Sequence, residues 1–247
     1  MTAATGPLGR SLAVTLAEAG ADVSLTTLTG ARDEEFEANS ILNECWSLGR
    51  QGGAHVLDLA DPAAFESALD AAERMVGPVS ILVNTGQAVP AVPAVPAVET
   101  DLEVWERALR LVATAAYVPT LVVGRRMLER GAGRIVSILS VLHDRGAPGG
   151  SLIAASSGAV AGLTRALGVE WARSGVTVNA ISVGFLDGVP GPHAAPDMHT
   201  VLEHYIPVRR LGQPADLAGA LLYLVSDGSA YLNAEVLLVD GGVAVHA

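Results

Sequence analysis

The stretch GAVAGLTRALGVEWARSGVTVNAISVG, residues 158–184, decides the fold. Val160, Leu163, Leu167 and Trp171 recur at helical spacing, and the pattern extends back to Ile153 and forward to Arg173. Ala155 and Ala159 add to an apolar surface that runs nearly all the way round this helix. Such a helix needs cover on both sides: its own sheet on one, something else on the other. Gly175 breaks the pattern, and Thr177–Val183 reads as a strand.

Outward from this pair, helices and strands alternate. Toward the N-terminus the spacing predicts a helix over Arg10–Ala19, a strand over Asp22–Thr27, a helix over Asp33–Leu48 and a short strand over Ala54–Leu57. A helix over Pro62–Met75 follows, with proline in its first turn, then the strand VSILVN at 79–84. Asp101–Arg130 reads as a helix interrupted near Pro119, and Arg134–Ser140 as a strand. After residue 184 come a helix over Pro214–Ser226 and a strand over Glu235–Asp240. Strands that alternate with helices imply right-handed crossovers and a parallel, doubly wound α/β sheet, here one domain over residues 1–247. Two segments break the rhythm. AVPAVPAVPAV at 88–98 has proline at period three, which fits a stiff polyproline II loop or a docking strip. Gly184–Thr200 is a long loop, of the kind that rims the crevice at the strand ends.

Composition excludes several functions. Half of the 247 residues are apolar and the net charge is −11 with no basic block, which argues against nucleic acid and against an anionic membrane surface. The longest apolar run, 111–124, is too short to span a bilayer and contains Pro119. No secretory signal pattern is visible, so a cytoplasmic location is expected. The single Cys45 excludes an internal disulfide framework and a multi-cysteine zinc site, and no metal is expected. All 15 basic residues are arginine, so no lysine can form a Schiff base, act as a general base or serve a P-loop.

DLAD at 58–61, LVNTG at 82–86, GRIVSILS at 133–140, the run 158–184 and VDGG at 239–242 together resemble the short-chain dehydrogenase/reductase family over nearly the whole chain. The resemblance implies a Rossmann-like sheet, a nicotinamide cofactor on the first glycine-rich turn and an Asn-Ser-Tyr-Lys catalytic set. In that set the tyrosine exchanges a proton with the substrate oxygen, and the lysine lowers its pKa. An unassisted phenol near pKa 10 is a poor acid–base group at neutral pH. Carried over residue by residue, the serine is kept as Ser140, whereas Ile153, Ser157 and Val112 stand at the tyrosine, lysine and asparagine positions.

The cofactor positions also depart from the family pattern. Thr5-Gly6 matches the start of a Thr-Gly-x-x-x-Gly-x-Gly turn that is then shortened, with Pro7 at a glycine position and Gly9 retained. So few residues precede this turn that the first strand is short or missing, or the true start lies upstream. Thr27 replaces the ribose-reading acid, Asn84-Thr85-Gly86-Gln87 replaces Asn-Asn-Ala-Gly, and Val183-Gly184 replaces Pro-Gly. Asp58, near the adenine in relatives, is intact. Gly6, Gly9, Asp58, Asn84 and Gly86 thus read as vestiges of a cofactor site, and no nucleotide is expected on this chain.

The reading expected from these residues is a non-catalytic subunit. It pairs, as a heterotetramer, with an active paralogue that holds NAD(P), or with itself. The family contains such pairs, as in the 2-(hydroxybenzyl)succinyl-CoA dehydrogenase of anaerobic toluene degradation. A second reading is a non-redox enzyme built on Ser140 and His143, near Asp144, Arg145 and the histidines at 193, 199 and 204. A third is an atypical NAD(P)-dependent oxidoreductase.

Overall fold

The computed structural model describes residues 1–86, 92, 94–189 and 196–245, with only the backbone at 196–199. Two parallel sheets form, one of β1 (Leu25–Thr26) and β2 (Ala54–His55), the other in the order β3 (Ile81–Asn84), β4 (Gly133–Ser140), β5 (Val176–Val183), β6 (Val236–Val239). Residues 1–4 lie between them. Thr2 N–H donates to Val83 C=O and Thr85 N–H donates to Thr2 C=O; on the other side Thr26 N–H donates to Met1 C=O and Ala4 N–H to Thr26 C=O. The first strand is therefore short rather than missing, and it joins both sheets into one doubly wound layer with a switch point beside it.

Helices cover both faces. On one face α1 (Gly6–Glu18), α2 (Arg32–Ser47) and α9 (Ala218–Val225) enclose Leu8, Leu12, Ile41, Val83, Ile181 and Leu221. On the other, α3 (Pro62–Val76), α4 (Leu102–Leu109), α5 (Ala115–Arg130) and α7 (Ser151–Trp171) enclose Phe65, Val112, Met127, Ile135, Val160 and Trp171. Short helices α6 (Leu142–Arg145) and α8 (Pro196–Tyr205) flank the C-terminal ends of β4 and β5. Asp61 caps α3, accepting from the N–H groups of Ala63 and Ala64. The Trp171 ring lies so close to Gly124 that a Cβ there would come within 2.5 Å of it, which sets the spacing of α5 and α7.

The expected elements all form, with three differences, of which one is that α8 begins at Pro196, inside the loop expected over Gly184–Thr200. The strand expected over Asp22–Thr27 is regular only at Leu25–Thr26, where it pairs with Ala54–His55, although the N–H groups of Val23 and Thr27 still donate to the Gln51 and His55 carbonyls. The break expected near Pro119 lies at Arg110–Thr114, a π-helical turn, and α5 runs through Pro119. A proline ring clashes with the carbonyl four residues earlier, here Ala115, the first residue beyond the wide turn, so the irregularity falls upstream of the ring. The continuous helices 102–130 and 151–174 are also longer than the apolar run alone, with the length and mean hydropathy (1.2 and 1.4) to cross a bilayer. Each lays one face on the sheet, and half or a little less of each apolar window is buried there.

Two outcomes test this arrangement. A Cβ at Gly9 would stand 2.1 Å from the carbonyl oxygen of Ala4. Gly9→Ala is expected to cost about 1–3 kcal/mol in urea unfolding by forcing α1 off the first strand. The Met1 amine is buried, and desolvation lowers its pKa from 8.0 to about 5. The unfolded chain therefore binds more protons between those values. Stability should fall as pH drops from about 8 to about 5, by up to ~1.4 kcal/mol per pH unit. An N-terminally acetylated chain should lack that component.

Candidate functional site: the crevice at the switch point

The crevice lies beyond the C-terminal ends of the first strand, β3, β4 and β5. There the chain turns from Thr2 into α1, from Asn84 toward residue 100, and from Ser140 into α6. The ladder places Thr2 opposite Asn84, so Thr2, not Thr5, ends the first strand. The turn runs over eight residues from Thr2 to Gly9, and the expected shortening is corrected: Thr2-Ala3-Ala4-Thr5-Gly6-Pro7-Leu8-Gly9 fills a full Thr-Gly-x-x-x-Gly-x-Gly frame. Ala3 takes the first glycine position with φ +48°, a left-handed conformation that costs a residue with a Cβ about 1 kcal/mol. Gly6 (φ +80°) falls inside the frame, not at its start. Pro7 holds the second glycine position and is exposed at the start of α1, and Gly9 keeps the third, against Ala4.

Carboxylates take up donors along this rim. The Gly6 N–H at the start of α1 donates to Glu37 Oε2 at 2.8 Å. Glu34 accepts from the N–H groups of Leu28 (2.8 Å) and Thr29 (3.0 Å) and from the Thr29 hydroxyl, just beyond β1. Thr27, at the ribose-reading position, is fully buried and turned inward, its hydroxyl bonded to Leu57 N–H and C=O. Asp58 accepts from Arg110 at 2.5 Å and from Ala60 N–H. Burial raises the Asp58 pKa, but the Arg110 and Ala60 hydrogen bonds and the guanidinium charge outweigh it and hold the carboxyl below its ordinary value. No sequence motif marks Glu34, Glu37 or Arg110. Each acts through a contact between elements far apart in the chain, which periodicity does not encode.

The catalytic positions converge on packing. Ser140 ends β4, and its Oγ accepts from Leu142 N–H at 3.3 Å. His143 is brought beside it, but through the backbone: Nδ1 lies 2.7 Å from Ser140 C=O, and Nε2 is buried with no hydrogen bond, 3.3 Å from Asp144 Oδ2. No Ser–His hydrogen bond of the nucleophile–base kind is made. Ile153, in the first turns of α7, packs against two apolar clusters, one under α7 and one formed with Leu142, Leu202 and Ile206. Ser157, one turn on, is fully buried. Val112 sits in the π-helical turn and belongs to the core. His204 bonds its own helix at Thr200 C=O, and His193 and the side chain of His199 lie outside the described residues.

The Asn84 and Gly86 turn is also structural. Asn84 accepts from the Thr2 hydroxyl (2.9 Å) and donates to Thr120 Oγ1 (3.0 Å) and Ser137 Oγ (3.2 Å), all buried. The Thr85 hydroxyl donates to the Thr2 and Ala3 carbonyls. Gly86 is not crowded: a Cβ would meet only Leu111 C=O at 3.7 Å. Gly184 is, with Asp240 Cα 2.8 Å from its Cβ position. Gln87, Pro90 and Pro93 lie outside the described residues, whereas Pro96 is extended (φ −54°, ψ 137°). Among the described residues no three metal-ligating side chains gather.

A family model described as enoyl-(acyl carrier protein) reductase matches residues 3–244. The 2-dehydro-3-deoxy-D-gluconate 5-dehydrogenase of Bacillus subtilis (strain 168) is 34% identical over 96% of this chain and 92% of its own length. The 3-oxoacyl-[acyl-carrier-protein] reductase of Escherichia coli (strain K12) is 30% identical over 98% and 95%. Among solved structures, a gluconate 5-dehydrogenase from Burkholderia cenocepacia J2315 in complex with NADP and tartrate superposes with TM-score 0.87, at 28% identity, over 97% of this chain and 92% of that one. With the sheet order, the eight-residue turn and the match from residue 3 to residue 244, this chain belongs to the short-chain dehydrogenase/reductase family of oxidoreductases.

Proposed function

We propose that this chain is a non-catalytic member of its family. It binds no nucleotide and, in the cytoplasm, pairs with and stabilises an active NAD(P)-dependent paralogue of the hydroxyacyl-CoA dehydrogenase type. One observation carries this reading: at the positions of the proton-transfer pair, Ile153 is partly buried and packs against two apolar clusters, and Ser157 is fully buried. No lysine exists to move into their place. Ser140 alone can hold a substrate oxygen but has no proton of suitable pKa to exchange.

The rim supports the same reading. A pyrophosphate at a helix N-terminus needs free N–H groups and close backbone approach. Here Pro7 removes one N–H, its ring stands in the approach, and Glu37 already accepts from Gly6. Glu34 and Glu37 put two carboxylates beside the path of a polyanion, and Arg110 occupies Asp58. These residues do not fit a dinucleotide. The pairing surface is the outer side of α4–α5 and α7, where Ala113, Thr114, Tyr117, Ala159, Val160 and Leu163 line a groove of about 260 Å³. Tyr117 is 47% exposed on it, part of an apolar surface that a second subunit covers. The non-redox alternative loses its footing because His143 meets Ser140 only through the carbonyl.

Three outcomes test the proposal. Calorimetric titration with NADH or NADPH should give no saturable heat up to millimolar nucleotide; micromolar binding overturns the claim. Ile153→Tyr with Ser157→Lys should restore no dehydrogenase activity. It should also lower stability by roughly 3 kcal/mol or more, since it places an ammonium at a fully buried site. Native mass spectrometry of the complex from its own cells should show this chain with a second family member that retains the nucleotide. A homo-oligomer carrying NAD(P) refutes the pairing.

A further inference from the structure

The VDGG motif at 239–242 and helix α8 have no part in the reading above, and they meet beside the crevice. Asp240 accepts from Gly242 N–H (2.8 Å) and Ala244 N–H (2.7 Å), so its carboxylate folds residues 240–244 into a turn. Gly241 is left-handed, with φ +65°. A Cβ there would stand 2.7 Å from Val208 Cγ2 and 2.9 Å from Ile206 Cγ2, so glycine lets the turn lie against the end of α8. Val208 N–H donates to Gly241 C=O at the same place. The turn carries Val243, fully buried, into a cluster with Leu142 of α6, Leu202 of α8, Ile206 and Leu211.

Arg145, at the end of α6, adds a polar clasp to this cluster. Its guanidinium carbon lies 4.7 Å from the centroid of the Tyr205 ring on α8, and its Nη1 donates to Val243 C=O. Ile153 and Ala154 of α7 pack against the same cluster, and Ile153 also packs against the core under α7. Thus α8 is tied to the C-terminal turn through Val243, to α6 through Arg145 and to α7 through Ile153. Every one of these contacts comes from the chain itself.

We propose that this cluster is a latch that holds α8 shut across the crevice mouth as the resting state, with Ile153 as its bolt. The proposal rests on the reading of the crevice as non-catalytic and deepens it. Ile153 does more than lack a proton to exchange: it joins α7 to α8 by apolar surface removed from water. A phenol at the same place would bring a hydroxyl into an apolar cluster, where it costs free energy unless it finds a partner. Elements that close over a crevice open and shut as ligands come and go when the ligand supplies part of the closing contact. Here the closing contacts are all internal, so the mouth stays shut and keeps a small-molecule substrate from Ser140, whatever happens at the rim of α1.

Amide exchange of the whole chain tests the latch. Exchange over residues 202–206 should be slower than in an unstructured peptide by about 100-fold or more. Ile153→Ala and Val243→Ala should each speed it by about tenfold or more, with the amides of β4 and β5 unchanged and Ile153→Val close to the parent. Arg145→Ala leaves the apolar cluster whole, so it serves where truncation of the cluster unfolds the chain; it should speed the same amides by about threefold or more. Unprotected amides over 202–206, substitutions that leave them unchanged, or acceleration that extends equally to β4 and β5 each overturn the latch. A thiol inside the cluster reads the same opening. Leu142→Cys should react with N-ethylmaleimide about tenfold faster when combined with Ile153→Ala than alone, and equal rates overturn Ile153 as the bolt. The nucleotide titration above reports the rim of α1 rather than α8, so it holds or fails separately from these results.

Discussion

The backbone hydrogen bonds of residues 1–4 are the constraint on which the rest of the structure depends. Without them β1–β2 and β3–β6 are two sheets with open inner edges, and unpaired inner-edge groups are costly when buried. With them, Thr2 is fixed against Asn84, Asn84 against Thr120 and Ser137, and Thr85 against Thr2 and Ala3. This buried polar network lies directly beneath the crevice. It sets where the turn into α1 begins and leaves Ala3 in a left-handed conformation that its neighbours hold in place. The scaffold of the site is thus retained by polar contacts independent of any catalytic side chain.

On that scaffold several polar groups around the crevice make internal contacts. The helix N-terminus that could hold a phosphate holds Glu37; the end of β1 holds Glu34; Asp58 holds Arg110. Ile153 links two apolar clusters where a phenol would need to face the crevice. These substitutions favour packing and local charge pairing over an open, preorganised pocket. The relatives it matches are named as oxidoreductases and are of similar length.

Much of the fold was legible because it rests on periodicity. The helix 153–173 and the strand 177–183 form close to their expected limits, as do the helices after Asp61 and Asp101. The register of the first turn was not legible. Thr5-Gly6 looks like the Thr-Gly of the turn, and only the pairing of Thr2 with Asn84 moves the frame three residues back. The π-helical turn was also misplaced, since Pro119 marks the disturbance in sequence while its strain is relieved upstream. Glu34, Glu37 and Arg110 were invisible because their roles depend on which distant backbone groups they reach.

The sequence by itself determined the order of elements, the parallel layer and the absence of lysine. Alternation and residue identity are local properties, and a lysine absent from the chain is absent from every conformation. Only the tertiary structure decided that Ser157 is fully buried, that Ile153 is partly buried between two apolar clusters, and that the Gly6 N–H at the start of α1 is taken by a carboxylate. Those facts depend on distances between segments tens of residues apart, which are fixed by packing and hydrogen bonding across the whole layer.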